Sequence, residues 1–489
     1  MNLKQLLSGF VDTDIDTDIE ITGLGLDSRK IKRGDVFIAL NGALQHGMRH
    51  AGQAVENGAI VVVYDPEGIG LATPKTLGVK TIAVENLGQR LGDIAARFYG
   101  RPSDEIGVIG ITGTNGKTTC SQLLAQALPA CGVIGTLGWG ELGHLQDTGN
   151  TTPDALAVHQ ILRALINQNK TVVAMEVSSH GLEQGRVNAV NFIGAVFTNL
   201  SRDHLDYHGN MEAYLQAKLA LFTNPALRFA VVNLDDANSE AVLTTLNDDV
   251  KCWGFSISGW RADDVECVVA SNVQFSSDGI AFDVSWARQT LRASTPVVGA
   301  FNLQNVMTVL CVLLAMDWPL AKAVAQLAKL KAVAGRMEKF GGQGKPSVIV
   351  DYAHTPDALE KVLLAARGNG KLWVVFGCGG DRDRGKRPEM GKIAETYADR
   401  VIVTDDNPRS EASDAIINDI LAGCSSNKVS KINDRYTAIT TVIQQAGEDD
   451  CVVIAGKGHE NYQETNGVKT PFSDQAVAQQ ALAAWSLLR

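Results

Sequence analysis

The stretch Glu105–Thr119, EIGVIGITGTNGKTT, limits what this chain can fold into more than any other segment. A continuous apolar run ends in a glycine-bounded turn, and a helical pattern, Ser121–Leu128, follows. A run without polar alternation reads as a strand buried on both faces, the habit of parallel sheets. Parallel neighbours need long crossovers, usually helical. Thr171–Val177, Phe192–Thr198 and Phe229–Asn233 repeat the pattern, with helix-like stretches between them. Such alternation predicts an α/β fold with a doubly wound central domain.

On either side the pattern changes. Residues 1 to about 100 hold short β-rich runs such as Asp35–Leu40 and Ala59–Tyr64, and end at the turn-rich Tyr99-Gly100-Arg101-Pro102. Residues 251–295 alternate and predict strands, Asn302–Met316 predicts a helix, and a further α/β segment opens near Gly335. Its apolar runs are Ser347–Val350, Leu372–Phe376, Arg400–Thr404 and Cys451–Ala455. Three domains are expected, at 1–100, 101–334 and 335–489, which suits 489 residues at roughly 100–200 residues per domain.

Composition removes several classes. A formal charge of −10 argues against a general nucleic-acid binder. The eight cysteines form no C-x-x-C pair and no zinc-spaced cluster, as expected of free thiols in a reducing compartment. The N-terminal MNLKQLLSGFVDTD turns acidic before a signal-like core develops. The most apolar segment, Val306–Met316, is too short to span a bilayer and reads as a buried helix. A cytoplasmic monomer with no membrane insertion is expected.

The turn itself carries chemistry. In Gly113-Thr114-Asn115-Gly116-Lys117-Thr118-Thr119, glycines allow backbone N–H groups to approach phosphates, and the following helix adds its dipole. Lys117 can reach the β- and γ-phosphates, and the Thr118 hydroxyl can ligate Mg²⁺. The usual spacing would place glycine at position 111, which is Ile111; glycines stand at 110 and 113 instead. A purely structural glycine turn is the other reading. Glu176 ends an apolar strand, where doubly wound sheets place ligands, and suits Mg²⁺; it also reads as a solvated strand-end carboxylate.

With that loop stand Asn150-Thr151-Thr152-Pro153, Met175–His180 (MEVSSH), Asn199–His208 (NLSRDHLDYH), Gly299–Asn305 (GAFNLQN), Gly335–Glu338 (GRME), Asp351–Pro356 (DYAHTP), Gly377–Pro388 (GCGGDRDRGKRP), Asp406–Arg409 (DNPR) and Gly456–Glu460 (GKGHE). In this order, over essentially the whole chain, they resemble the Mur ligase and folylpolyglutamate synthetase superfamily. The resemblance implies a three-domain ATP-dependent ligase that joins an amino acid to a carboxylate through an acyl phosphate, using ATP and Mg²⁺.

Residue by residue, the resemblance implies the following. Lys117, Glu176, His204 and Lys218 would form the catalytic and metal group, with Lys218 carbamylated so that a cation becomes an anionic ligand; alone, a helix lysine reads as solvated and His204 as a loop or cap residue. Asn302, Arg336 and Asp351 would complete the ATP site. Leu26, Ser28, Ala43, Leu44 and Gln45 would hold the UDP end of a nucleotide-sugar peptide, and Asn150, Thr151, Thr152, Ser178, Gln184 and Arg186 its remainder. The hydroxyls read equally as turn or cap hydrogen bonders.

The motif DNPR is the pattern associated with addition of meso-diaminopimelate to the UDP-N-acetylmuramoyl-dipeptide. It is expected to open a helix, with Pro408 in the first turn, so that the helix N-terminus and Arg409 form a carboxylate-binding corner. Arg382, Asp406, Asn407, Gly456 and Glu460 would line the same amino-acid site, Glu460 facing the distal ammonium. Lys457 is followed by glycine, so GKGHE is not a second phosphate loop. Lysine-adding and folylpolyglutamate-type ligases, a P-loop binding protein without ligase activity, and an inactive scaffold are the alternatives.

Overall fold

The computed structural model describes residues 1–11, 19–42, 45–69, 77–276 and 279–485. The chain divides into two compact units. One comprises Met1–Gly110, Ala130–Ala195 and Thr223–Leu227; the other comprises Ile111–Pro129, Val196–Phe222 and Arg228–Arg489.

In the first unit, Gly23–Gly25, Asp35–Ala39, Val61–Tyr64 and Lys80–Ala83 pair in sequence order as a parallel sheet. The period of two sorts their side chains. Val36, Ile38, Val61 and Val63 pack with Leu87, Leu91 and Ile94 of the helix Leu87–Phe98, while Phe37, Ala39 and Val62 pack with Met48, Ala51 and Ala54 on the opposite face. The same unit holds the parallel pair Cys131–Gly135 and Val172–Glu176, from which Gly138–Glu141 and His144–Gln146 continue as an antiparallel ribbon.

The second unit carries the helix Lys117–Ala127 and the parallel strands Phe229–Asn233, Lys251–Ser256 and Glu266–Ser276, followed by antiparallel Gly279–Trp286 and Gln289–Thr295. The β-rich reading of 251–295 therefore holds. The helix Ala300–Ala315 buries every residue from Asn305 to Leu314, as its predominantly apolar sequence requires.

A six-stranded sheet completes the second unit, in the order Glu338–Gly341, Ser347–Asp351, Cys451–Ala455, Leu372–Phe376, Arg400–Val403, Val429–Lys431. Only its first pair is antiparallel. The late strand Cys451–Ala455 is inserted between two early ones, so the chain order reverses there. The carboxyl ends of parallel strands at such a point are where ligands bind. Here those ends lead into DYAH, GKGHE, GCGGDR and DNPR.

Candidate active site

The glycine loop is held from beneath by the segment that follows Phe197. Asn115 N–H donates to the Asn199 side-chain oxygen at 3.0 Å, and Thr198 Oγ1 donates to Asn115 O at 2.6 Å. Thr114 N–H donates to Asn199 O at 2.9 Å. This close approach explains Gly113: its φ is +145°, and a Cβ would lie 1.9 Å from Thr198 Oγ1. Gly116, at φ +90°, leaves the same kind of room for Asn305. Lys117 begins the helix, and its ammonium curls back to donate to Gly113 O at 2.8 Å and Thr114 O at 3.0 Å. Thr118 and Thr119 are buried.

The structure brings most of the expected ATP-site residues onto this loop. Arg336 donates to Thr118 Oγ1 at 3.1 Å and lies 4.4 Å over the Tyr352 ring. Asp351 accepts from Met337 N–H at 2.7 Å and Ala353 N–H at 2.8 Å, so it fixes the backbone beside Arg336. Burial pushes the Asp351 carboxyl up despite Arg336 and these donors. Asn302 reaches the loop indirectly: its side-chain oxygen accepts from Asn305 at 2.8 Å, and Asn305 abuts Gly116.

Beside the loop lies a charged group whose centre was not singled out in the sequence. Asp203, nearly fully buried, has its carboxylate 3.4 Å from His204 Nε2, 3.6 Å from His354 Nε2 and 3.6 Å from the Lys386 ammonium. Burial pushes its pKa upward, yet His354, Lys386 and His204 together hold it well below the usual carboxylate range. His204 sits at φ +55°, capping the short helix Leu205–His208. Lys218 is buried, not solvated, with its nitrogen 4.3 Å from the Tyr214 ring centre. Burial and the neighbouring Lys117 charge hold its pKa well below that of a free lysine, against the pull of Asp203.

In the first unit, Glu176 is buried and accepts from Thr136 N–H and Thr136 Oγ1, each at 3.0 Å. Thr136 Oγ1 also lies 3.0 Å from Thr151 Oγ1. Thr152 Oγ1 donates to Glu176 O at 2.9 Å and accepts from Ser178 N–H at 2.9 Å. Arg186 donates to Thr152 O at 2.8 Å and to Gln184 Oε1 at 2.6 Å. Glu176, Thr151, Thr152, Ser178, Gln184 and Arg186 thus form one network, with Asn150 exposed beside it. Ser28 bonds Gln53 at 2.7 Å and Gln45 bonds His50 at 2.9 Å, local contacts separate from that network; Leu26 is half-buried. Ala43 and Leu44 lie outside the described residues.

The motif DNPR does not open a helix, contrary to the expectation. The helix begins at Ser413. Arg409 has φ +52° and forms a parallel bridge with Thr465, its N–H donating to Glu464 O at 3.0 Å and its carbonyl accepting from Asn466 N–H at 2.7 Å. A positive φ and bridged backbone groups are incompatible with a first helical turn, so DNPR itself supplies no helix N-terminus. The guanidinium remains, donating to Gly380 O at 2.7 Å and lying 3.7 Å from Glu464.

Asn407, Lys457 and Glu460 interlock across DNPR and GKGHE. The Lys457 ammonium, wholly buried, donates to Asn407 Oδ1 at 3.0 Å and to Glu460 Oε2 at 2.9 Å, and Asn407 Nδ2 donates to the same Glu460 oxygen at 2.8 Å. Gly456 is required: at φ +112° its Cβ would lie 2.5 Å from Asp406 Oδ2. Arg382 is exposed and lines an open hollow of about 530 Å³ with Asp206, Asp381, Arg384 and Glu411. Sequence reading gave no role to Asp203, His354, Lys386 or Asn305, and took Lys457 only as evidence against a second phosphate loop; the contacts that draw Asp203 to His354 and Lys386, and Lys457 to Asn407, join residues far apart in the chain.

Comparison with known proteins adds a second line of observation. Residues 20–99 match the Mur ligase family catalytic domain, 111–313 the Mur ligase middle domain, and 335–458 the Mur ligase glutamate ligase domain. The chain is 47% identical, over 100% of its length and 99% of the relative's, to a protein of Pseudomonas aeruginosa named UDP-N-acetylmuramoyl-L-alanyl-D-glutamate–2,6-diaminopimelate ligase. A solved structure bearing that enzyme's name is 36% identical, with a TM-score of 0.68 and 99% of both chains covered. A MurF ligase from Thermotoga maritima, solved with ADP, shares the fold at 18% identity, TM-score 0.68, covering 97% of this chain and 100% of that one. With its length matched end to end and its glycine loop, DNPR and GKGHE segments arranged as described, this chain belongs to the Mur ligase family.

Proposed function

We infer that this chain joins meso-2,6-diaminopimelate to UDP-N-acetylmuramoyl-L-alanyl-D-glutamate, converting ATP to ADP and phosphate, in the making of peptidoglycan precursor. The observation that carries the reading is end-to-end identity of 45–48% with relatives named for this reaction. The division into parts at 1–100, 101–334 and 335–489 belongs to the same proposal.

The steps follow from the chemistry of the groups. The γ-carboxylate of the D-glutamate attacks the γ-phosphorus of ATP, the bond to the β-phosphate oxygen breaks, and ADP leaves with an acyl phosphate formed. Catalysis of such a transfer is mostly positioning and charge stabilisation. Lys117 is suited to it because its ammonium lies on the loop itself, donating to the Gly113 and Thr114 carbonyls, and can turn from there to the phosphates. Arg336, bonded to Thr118, offers a second cation to the same phosphates. The neutral amine of diaminopimelate then attacks the acyl carbon, phosphate departs, and the amine proton is released. Arg409 and Glu460 are assigned to the distal carboxylate and ammonium, which lysine and diaminopimelate do not share in full. Leu26, Ser28, Gln45, Asn150, Thr151, Thr152, Ser178, Gln184 and Arg186 are assigned to the nucleotide-sugar peptide.

Mg²⁺ prefers hydroxyl, carboxylate and phosphate oxygens. Within the second unit, the Thr118 hydroxyl and His204 would hold such an ion, and its charge would offset that of the phosphates; Glu176 keeps the metal role that the resemblance implies. Lys218 fits once carbamylated. Carbamylation needs an unprotonated amine, and the depressed pKa of buried Lys218 supports it.

The test is mass analysis of products from the nucleotide-dipeptide, ATP and separate acceptors. A gain of one diaminopimelate residue with acceptor-dependent ADP release is expected. Extension by lysine or glutamate alone overturns the acceptor assignment, and ADP release indifferent to any acceptor overturns the ligase reading.

A further inference from the structure

Arg435 opens the helix Arg435–Gln445 and is buried against Asp474, which opens the helix Asp474–Trp485. The pair is a two-pronged fork, Nε to Oδ1 and Nη2 to Oδ2, both at 2.8 Å. Two of the three remaining donors go to backbone carbonyls: Nη1 to Asp405 O at 3.1 Å and Nη2 to Ala455 O at 2.9 Å. Neither residue was singled out in the sequence, and neither touches the phosphate loop.

Those two carbonyls hold particular positions. The peptide unit that contains Asp405 O also contains Asp406 N, the start of DNPR. The peptide unit that contains Ala455 O also contains Gly456 N, the start of GKGHE. A peptide unit is planar and rigid, so fixing its carbonyl fixes the direction in which the next residue leaves. One planar guanidinium therefore sets the departure of both loops, and Asp474 fixes the guanidinium. A lysine could not do this, because a single ammonium has no fork to present to the carboxylate while reaching two carbonyls.

We propose that Arg435, locked by Asp474, is a positioning residue for the amino-acid substrate, setting the spacing between Arg409 and Glu460 without touching the substrate. This rests on the assignment of DNPR and GKGHE to diaminopimelate. It separates the roles of two buried networks: the one around Arg336 and Asp351 serves ATP, and the one around Arg435 serves the acceptor.

Steady-state ADP release by the full-length protein tests it, with each substrate varied in turn. For Arg435→Lys the KM for diaminopimelate is expected to rise about tenfold, the scale of losing hydrogen bonds from a charged group. The KM values for ATP and the nucleotide-dipeptide stay within about twofold, since their assigned residues bond elsewhere. Asp474→Asn leaves the guanidinium but loosens its anchor; it shifts the same KM by a smaller factor and serves should Arg435→Lys fail to fold. The proposal is overturned if all three KM values rise together, or if the thermal midpoint falls while none of them moves. A wild-type protein that does not turn over diaminopimelate overturns the reaction assignment instead, so the two failures stay distinct.

Discussion

The loops Gly113–Thr119 and Gly456–Glu460 both contain the dipeptide Gly-Lys, and they use it in opposite ways. In Gly113–Thr119 the lysine is half-buried, starts a helix and rests on two backbone carbonyls. In Gly456–Glu460 the lysine is wholly buried and bonded to Glu460 and Asn407, and Gly458 at φ +52° follows it where the first loop has a helical threonine. The first ammonium rests on neutral carbonyls beside the loop and can move to a phosphate. The second is tied to a carboxylate in a dry setting, where separating the charges is costly. Lys117 is placed to act on a ligand; Lys457 shapes the loop that receives one.

Substitutions can break this contrast. Lys117→Ala should leave the fold intact and reduce ADP release on the order of a thousandfold, the scale of removing a preorganised charge from a transferring group; near-normal turnover would remove Lys117 from the chemistry. Lys457→Met should do the reverse, costing about 3 kcal/mol in urea unfolding because Glu460 loses its buried counter-charge. A variant as stable as the parent would show that Lys457 is no structural tie. Arg409→Ala should raise the KM for diaminopimelate about thirtyfold with little change for ATP, as expected for one lost charge-assisted contact. An equal loss for both substrates would assign Arg409 to the scaffold.

The smallest effect concerns His459 in the second loop, which stacks on Tyr352 with ring centres 5.2 Å apart. Burial, then the Arg336 and Lys457 charges, lower its pKa from 6.5 to about 3. A histidine neutral when folded leaves stability complete above 6.5 and loses it as pH falls toward about 3, because the unfolded chain binds the proton first. Lowering the pH from 6.5 to 5.5 should thus remove about 1 kcal/mol through this group, and His459→Phe should flatten that part of the profile. An unchanged pH profile would show that the ring is already protonated or exposed.

Much of this was legible in advance. Phe229–Asn233, Leu372–Phe376 and Cys451–Ala455 form strands at the limits read from the sequence, and the glycine loop sits between a strand and a helix as expected. Apolar runs and glycine turns are local signals, and the backbone obeys them locally. DNPR misled because proline does suit a first helical turn, but pairing of Arg409 with Thr465, 56 residues on, captured its backbone groups instead.

By itself the sequence determined the α/β alternation, the phosphate loop and the set of motifs that mark the family, since each depends on residues close together in the chain. Only the tertiary structure decided which charges share a dry interior. Inserting Cys451–Ala455 between Ser347–Asp351 and Leu372–Phe376 carries GKGHE to the sheet's central crevice. There Lys457 meets Asn407, and Arg435 reaches the roots of both loops. Asp203 likewise gathers His354 and Lys386 from beyond the reach of any spacing rule. Burial is a property of the packed molecule, and it turns ordinary lysines, arginines and carboxylates into an amine of depressed pKa, a brace and a charged hub.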